Sequence, residues 1–275
     1  MQKFIPKIIG AVINFISFLS PKYAAKLALR IFSTPRKGRL KDPEANFLKT
    51  AQQKDFKHTS FTVKTYQWAG NGSTVLLAHG WESNSFRWKN LIKTLSANNY
   101  NIIALDAPAH GASGNKEFNA ILYSECINIV SNYFKPDVII GHSVGGMATI
   151  FALNSFKTLR VERIILLGAP DAFISIFKNY ENMMGYNKKT INAIRQLILK
   201  KFKYLPEHFS TSNFTSNLNV EGLIIHDKKD RIIPFRDALE IHGKFKNAKL
   251  IETRGYGHGL KSKEVYNHIL NFLNA

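Results

Sequence analysis

The chain has 275 residues, 45% hydrophobic and 21% charged, which is enough apolar material for one large core and too much for a disordered chain. Its formal net charge is +19, yet the Lys and Arg are scattered and no aromatic RNP-type motif accompanies them, which sets nucleic acid aside as a partner. The single cysteine, Cys126, excludes an intrachain disulfide and reads as a small hydrophobe in an apolar stretch.

The first elements are helical. Lys3 and Lys7 flank an apolar segment, Ile8 to Leu19, that has the composition of a signal-peptide core. No good cleavage site follows it, and it is short for a bilayer span, with Pro6, Gly10 and Asn14 interrupting it. A cytoplasmic chain is therefore expected rather than an exported one. Lys22 to Ser33 forms an amphipathic pattern, with Lys22, Lys26 and Arg30 on one stripe and Tyr23, Leu27 and Ile31 beside it. Pro35 marks its end. Such a helix is expected to pack on a domain; peripheral contact with an anionic membrane is the second placement. Residues 1–54 are read as a helical N-terminal extension.

From residue 55 the pattern changes. Phe61 to Trp68 alternates as an antiparallel strand does, and Asn71-Gly72 is a turn signal. Short continuous apolar runs follow at Thr74–Ala78, Asn101–Leu105, Val138–Ile140, Ile164–Leu167, Gly222–Ile225 and Lys249–Glu252. Each precedes a helix-like segment. After Leu167 that segment is a long insertion. Buried strands alternating with helices imply a mostly parallel sheet covered on both faces, in the α/β class. Such sheets bind ligands outside the carboxyl ends of their strands, so the chemistry is expected where the runs stop.

Those ends are polar and rich in glycine. Gly141-His142-Ser143-Val144-Gly145 has the form G-x-S-x-G between an apolar strand and a helix. That setting lifts a serine onto a strained turn as a nucleophile, and a side chain at either glycine would clash with strand or helix. A serine hydroxyl needs a base, and the base needs an orienting carboxylate. His258, between Gly257 and Gly259 after the last strand, has the best position among nine histidines. Asp230 precedes it, giving the order Ser143, Asp230, His258. Asp227 and Asp171 are rivals for the acid. For the oxyanion, the backbone amides of Val144 and Trp81 are the candidate donors, while the side chain of His79 reads as structural.

The ordered set His79-Gly80-Trp81, Asp106-x-x-x-His110-Gly111-x-Ser113, Gly141-His142-Ser143-Val144-Gly145-Gly146, Asp230-Arg231-Ile232-Ile233-Pro234 and Gly257-His258 resembles the α/β-hydrolase superfamily from about Phe56 to Ala275. The resemblance implies an eight-stranded, mainly parallel sheet with helices on both faces. It also implies a helical cap after strand 6, here residues 171–218, inserted between core segments 55–170 and 219–275. It implies Ser143 as nucleophile, His258 as base, Asp230 as acid, and Trp81 and Val144 as amide donors. One departure is Asp227, where relatives commonly carry glycine. A serine at the nucleophile position argues against epoxide or halide chemistry. No metal-ligand spacing and no nucleotide-binding loop is present in the sequence, so no cofactor is implied.

The expected activity is carboxylester hydrolysis on a small-molecule acyl ester. A thioesterase, a membrane-surface lipase and a non-catalytic binding protein of the same fold are the alternatives. Phe173, Phe177, Tyr180, Met183, Met184 and Tyr186 in the insertion could line an acyl pocket or form the insertion's own core.

Overall fold

The computed structural model of the chain describes residues 4–275; Lys3 lies outside them. The first half of the chain contains α1 (Ile5–Leu19), α2 (Pro21–Ser33), α3 (Asp42–Leu48), β1 (Gln52–Lys57), β2 (Thr62–Trp68), β3 (Thr74–Ala78), α4 (Lys89–Ala97), β4 (Asn101–Leu105) and α5 (Ala120–Phe134). The second half contains β5 (Val138–His142), α6 (Val144–Ser155), β6 (Arg163–Leu167), α7 (Phe173–Met184), α8 (Lys188–Phe202), α9 (Thr211–Thr215), β7 (Glu221–Asp227), α10 (Phe235–Lys244), β8 (Ala248–Thr253) and α11 (Lys263–Leu273). Two compact units result: Met1–Thr34 with Ala172–Ser210, and Pro35–Asp171 with Thr211–Ala275.

The larger unit is built on one sheet which, among the described residues, has eight strands in the order β1-β2-β4-β3-β5-β6-β7-β8. β2 runs antiparallel to both β1 and β4, and all other pairings are parallel. The apolar runs are continuous because successive side chains serve opposite faces. Val75, Leu77 and Ile140 pack with Leu91, Leu95, Val265 and Ile269 of α4 and α11. Leu76, Ile103 and Ile139 pack with Tyr123, Ile127, Val130 and Ala148 of α5 and α6. Cys126 is buried among this second set, and burial pushes its thiol up, so it behaves as a hydrophobe.

The sheet unit takes in more of the chain than its apolar pattern indicates. Gln52–Lys57 is a polar, largely exposed edge strand whose register is set by β2, so no alternation announces it. Residues 35–54 thus belong with the sheet rather than with the N-terminal helices. Arg39 ties them in, its guanidinium donating to the carbonyls of Gly111, Ser113 and Asn115. Residues 211–218 also belong to the sheet unit, where Thr211 bonds to the carbonyls of Asp171 and Pro170.

The smaller unit joins the N-terminal helices to the insertion that follows β6. Gly10 and Asn14, the interruptions in the first apolar segment, are its docking points. A Cβ on Gly10 would stand 1.8 Å from the Met184 carbonyl oxygen. Asn14 donates to the Gly185 carbonyl at 2.9 Å and accepts from the Asn187 amide at 2.9 Å and the Thr190 hydroxyl at 3.0 Å. α2 starts on Pro21 with the Ser20 hydroxyl as N-cap and buries Ala24, Ala25 and Ala28. Phe32 of α2 meets Phe173, Phe177 and Tyr180, and the Tyr180 hydroxyl donates to the Ala28 carbonyl. Phe177, Tyr180, Met184 and Tyr186 are accordingly interior to this unit, while Met183 is exposed. No helix among the described residues is long and apolar enough to cross a membrane.

Candidate active site

Ser143 lies between the last residue of β5 and the first of α6, at φ 53° and ψ −128°. That is a strained conformation for a residue with a Cβ. The two glycines of the pentapeptide are required by contact rather than by their own dihedrals. A Cβ on Gly141 would sit 2.5 Å from Gly146 Cα, and one on Gly145 would sit 2.3 Å from the Ala78 carbonyl oxygen. α6 can therefore start hard against the ends of β3 and β5. The strained turn is pinned by the Ser143 amide, which donates to the Leu167 carbonyl at 2.9 Å.

Trp81 follows the end of β3. A Cβ on Gly80 would come within 3.0 Å of Ser143 Cβ, so only glycine lets this loop approach the serine so closely. Among the described residues neither the Trp81 nor the Val144 amide donates to a protein acceptor. Several side chains fix the loop. His79 donates from Nδ1 to the Gly80 carbonyl at 2.7 Å, and its Nε2 accepts from the Ala107 amide at 2.9 Å. His110 donates from Nδ1 to the Pro108 carbonyl at 2.8 Å, and its Nε2 accepts from the Glu82 amide at 3.0 Å. Burial lowers both imidazoles to about 4, which keeps them neutral and able to accept. Asp106, fully buried, accepts from the Ser85 amide and hydroxyl, the Tyr66 hydroxyl and the Ala112 amide. His79 and Asp106 are thus structural.

His258 stands in a single helical turn after β8, and its Nδ1 lies 2.7 Å from Asp230 Oδ2. With the proton on Nδ1, its Nε2 is left with a lone pair. The carboxylate of Asp230 is buried, and its Oδ1 accepts from the amides of Ile232 at 2.8 Å and Ile233 at 3.0 Å. His226 Nε2, which donates to the Ile233 carbonyl, lies 3.4 Å from the same Oδ2 as His258. Burial works against the charge, but the bonds from His226, His258, Ile232 and Ile233 prevail and hold this carboxyl far below the usual range.

The rival acids are engaged elsewhere. Asp227 accepts from the Thr253 hydroxyl, the Tyr256 amide and the Lys229 amide, which ties the loop after β7 to the one after β8. Burial opposes its charge, yet these bonds keep its carboxyl below the usual range. Asp171 accepts from the Ser212 amide, at the start of α9.

The Leu167-Gly168 segment connects the parts. Leu167 holds the Ser143 amide, and a Cβ on Gly168, at φ +56°, would lie 3.5 Å from His258 Nδ1 and 3.6 Å from Asp230 Oδ2. Ser143 Oγ and His258 are not hydrogen-bonded to each other; such bonds are often formed only with substrate present. Two further residues, unmarked by the sequence reading, hold the imidazole's backbone. His142 donates from Nε2 to the His258 carbonyl at 2.8 Å, and Arg87 donates to the Gly259 carbonyl at 2.9 Å. His142 lies beside Ser143 in the pentapeptide, but only contact across the sheet end reveals its partner.

The alpha/beta hydrolase family model matches residues 75–211. The match contains Trp81, Ser143 and Val144, whereas Asp230 and His258 lie beyond it. A Mycoplasma pneumoniae protein whose name proposes an esterase/lipase is 32% identical over 137 residues, 47% of this chain and 48% of that protein. This chain therefore spans about half the length of that relative. The bifunctional esterase/perhydrolase DCH of Acinetobacter calcoaceticus is 23% identical over 243 residues, 70% of this chain and 87% of that one. Among solved structures, an esterase from Exiguobacterium antarcticum superposes with a TM-score of 0.64 at 17% identity, covering 82% of this chain and all of that one, which establishes a shared fold.

Proposed function

Because this chain belongs to the α/β-hydrolase superfamily, we propose that it is a serine hydrolase cleaving carboxylic esters of small or medium acyl groups through an acyl-enzyme. One observation carries the reading. A strained serine at a strand–helix turn shares the Leu167-Gly168 segment with a His258–Asp230 pair bonded at 2.7 Å. In this reading His258 Nε2 takes the Ser143 hydroxyl proton as Oγ attacks the ester carbonyl carbon. The Trp81 and Val144 amides receive the oxyanion, and their lack of protein acceptors supports that role. Collapse of the tetrahedral intermediate breaks the bond to the alkoxy oxygen, which leaves with the proton from His258. Water, deprotonated by the same imidazole, then hydrolyses the acyl-enzyme. Asp230 holds the imidazole in the Nδ1–H tautomer and offsets its charge. Neither the chemistry nor the donor set calls on a cofactor. The names of the relatives favour esters as substrates.

The test is fluorophosphonate labelling followed by a panel of p-nitrophenyl esters. The probe is expected on Ser143, and Ser143→Ala should lose labelling and lower kcat by about 10³-fold or more. Probe found on another serine, with Ser143 unmodified, sinks the assignment.

A further inference from the structure

The smaller unit carries a surface that ester hydrolysis does not use. α1 buries Gly10, Ile13 and Ser17 on one side. On the other side Phe4, Ile5, Ile8, Val12, Phe15, Phe18 and Leu19 are all more than half exposed. At about 100° per residue these seven span roughly 140° of the helix circumference as one continuous stripe. Scattered exposed apolar residues are ordinary, but an aligned stripe of large ones is not. Lys7 borders the stripe on α1, and the Lys189 ammonium of α8 lies 5.1 Å from the centroid of the exposed Phe18 ring.

Charge selects among the surfaces that could cover this stripe. The residues of this unit include twelve Lys or Arg and only two Asp or Glu, so about a quarter of the chain carries +10 of its +19. No acidic residue occurs in the first 34 positions. Lys22, Lys26, Arg30, Lys188, Lys200 and Lys201 are exposed. A second copy placed on the stripe would set one +10 unit against another, a net repulsion that remains after the unit's two Glu are counted. An anionic lipid surface accepts both features, since apolar side chains enter the acyl boundary while ammonium groups meet the headgroups.

We propose that the exposed face of α1, flanked by Lys7 and Lys189, docks this protein on anionic lipid bilayers. Gly10 and Asn14 fix the rotation of α1 about its axis by binding it to α7 and α8, so the apolar stripe is held outward. The contact lies in the plane of the interface and crosses no bilayer, in keeping with a helix of 15 residues. It is independent of the hydrolase chemistry proposed above.

The experiment is co-sedimentation of the full chain with vesicles of mixed phosphatidylglycerol and phosphatidylcholine, and with phosphatidylcholine alone. Binding is expected to the anionic vesicles at low ionic strength, with release as salt shortens the screening length. Lys188→Gln/Lys189→Gln should weaken partitioning by roughly 25-fold, about fivefold for each charge removed near the surface. Ile8→Gln/Phe15→Gln should weaken it about tenfold or more while leaving soluble-ester hydrolysis and helicity unchanged. Failure of the intact chain to bind anionic vesicles overturns the proposal, as does binding that the apolar substitutions leave intact. A lipid-free dimer abolished by Ile8→Gln/Phe15→Gln overturns it too, because a second copy then covers the stripe.

Discussion

Replacing Asp230 by Asn separates the two candidate acids, because an amide can be oriented in only one way at this site. Oδ1 of Asp230 accepts from two backbone amides, those of Ile232 and Ile233. In Asp230→Asn the amide oxygen must take that position, since an NH₂ there would face two donors. The NH₂ group is then forced onto the Oδ2 position, facing His258 Nδ1 and His226 Nε2. His258 now has to accept on Nδ1, so its proton moves to Nε2 and it can no longer take the serine proton. The loss of the negative charge also removes support for the imidazolium. Together these should lower kcat by about 10²–10⁴-fold, or roughly 3–5 kcal/mol of transition-state stabilisation. Asp227→Asn meets different partners. Its best orientation leaves one donor, the Lys229 amide, facing an NH₂, at a cost of about 1–3 kcal/mol in stability. Its kcat should remain within about tenfold of the parent. The assay is p-nitrophenyl acetate turnover beside urea denaturation of both variants. A larger kcat loss in Asp227→Asn than in Asp230→Asn shows that Asp227, not Asp230, orients the imidazole.

Three further outcomes follow from the same contacts. His79 and His110, lowered to about 4 by burial, are neutral when folded but protonate near 6.5 when unfolded, so the stability they lend is full above pH 6.5 and is lost as pH falls towards 4. Between pH 7 and 5 His110 should cost on the order of 2 kcal/mol; Asp106, whose carboxyl burial pushes up, acts in the opposite direction. His110→Gln, which keeps an acceptor for the Glu82 amide, should therefore show a smaller pH-dependent fall in urea midpoint than the parent, and an unchanged slope contradicts the assignment. Gly145→Ala drives a methyl group into the Ala78 carbonyl oxygen and should cost about 1–3 kcal/mol or more, with activity falling as the serine turn shifts; a melting temperature equal to the parent's shows that the contact is not limiting. His142→Ala releases the His258 carbonyl and should lower kcat roughly tenfold while fluorophosphonate still reaches Ser143, so a full loss of labelling assigns His142 a larger role than positioning.

The parallel strands β3 to β8 and the serine turn are written locally. A buried strand needs an apolar run of about five residues, and a strand–helix turn with no room for a Cβ needs glycine, so Val138 to Gly145 states its own geometry. Short polar strands do not declare themselves; β1 exists because β2 offers an open edge. The motif order favours Asp230 as the acid, but Asp227 stands close beside it in the sequence. Asp227 ends β7 and Asp230 follows three residues later; the fold sets Asp230 Oδ2 against Nδ1 of His258, 28 residues on, while Asp227 is bonded to Lys229, Thr253 and Tyr256. His142 and Arg87 gain their roles in the same way, through carbonyls of the distant loop at 258–259. Most distant of all is the pairing of Asn14 with residues 185–190. In the sequence Gly10 and Asn14 only interrupt an apolar segment, because a docking residue is defined by its partner's backbone, and folding alone brings that partner to it.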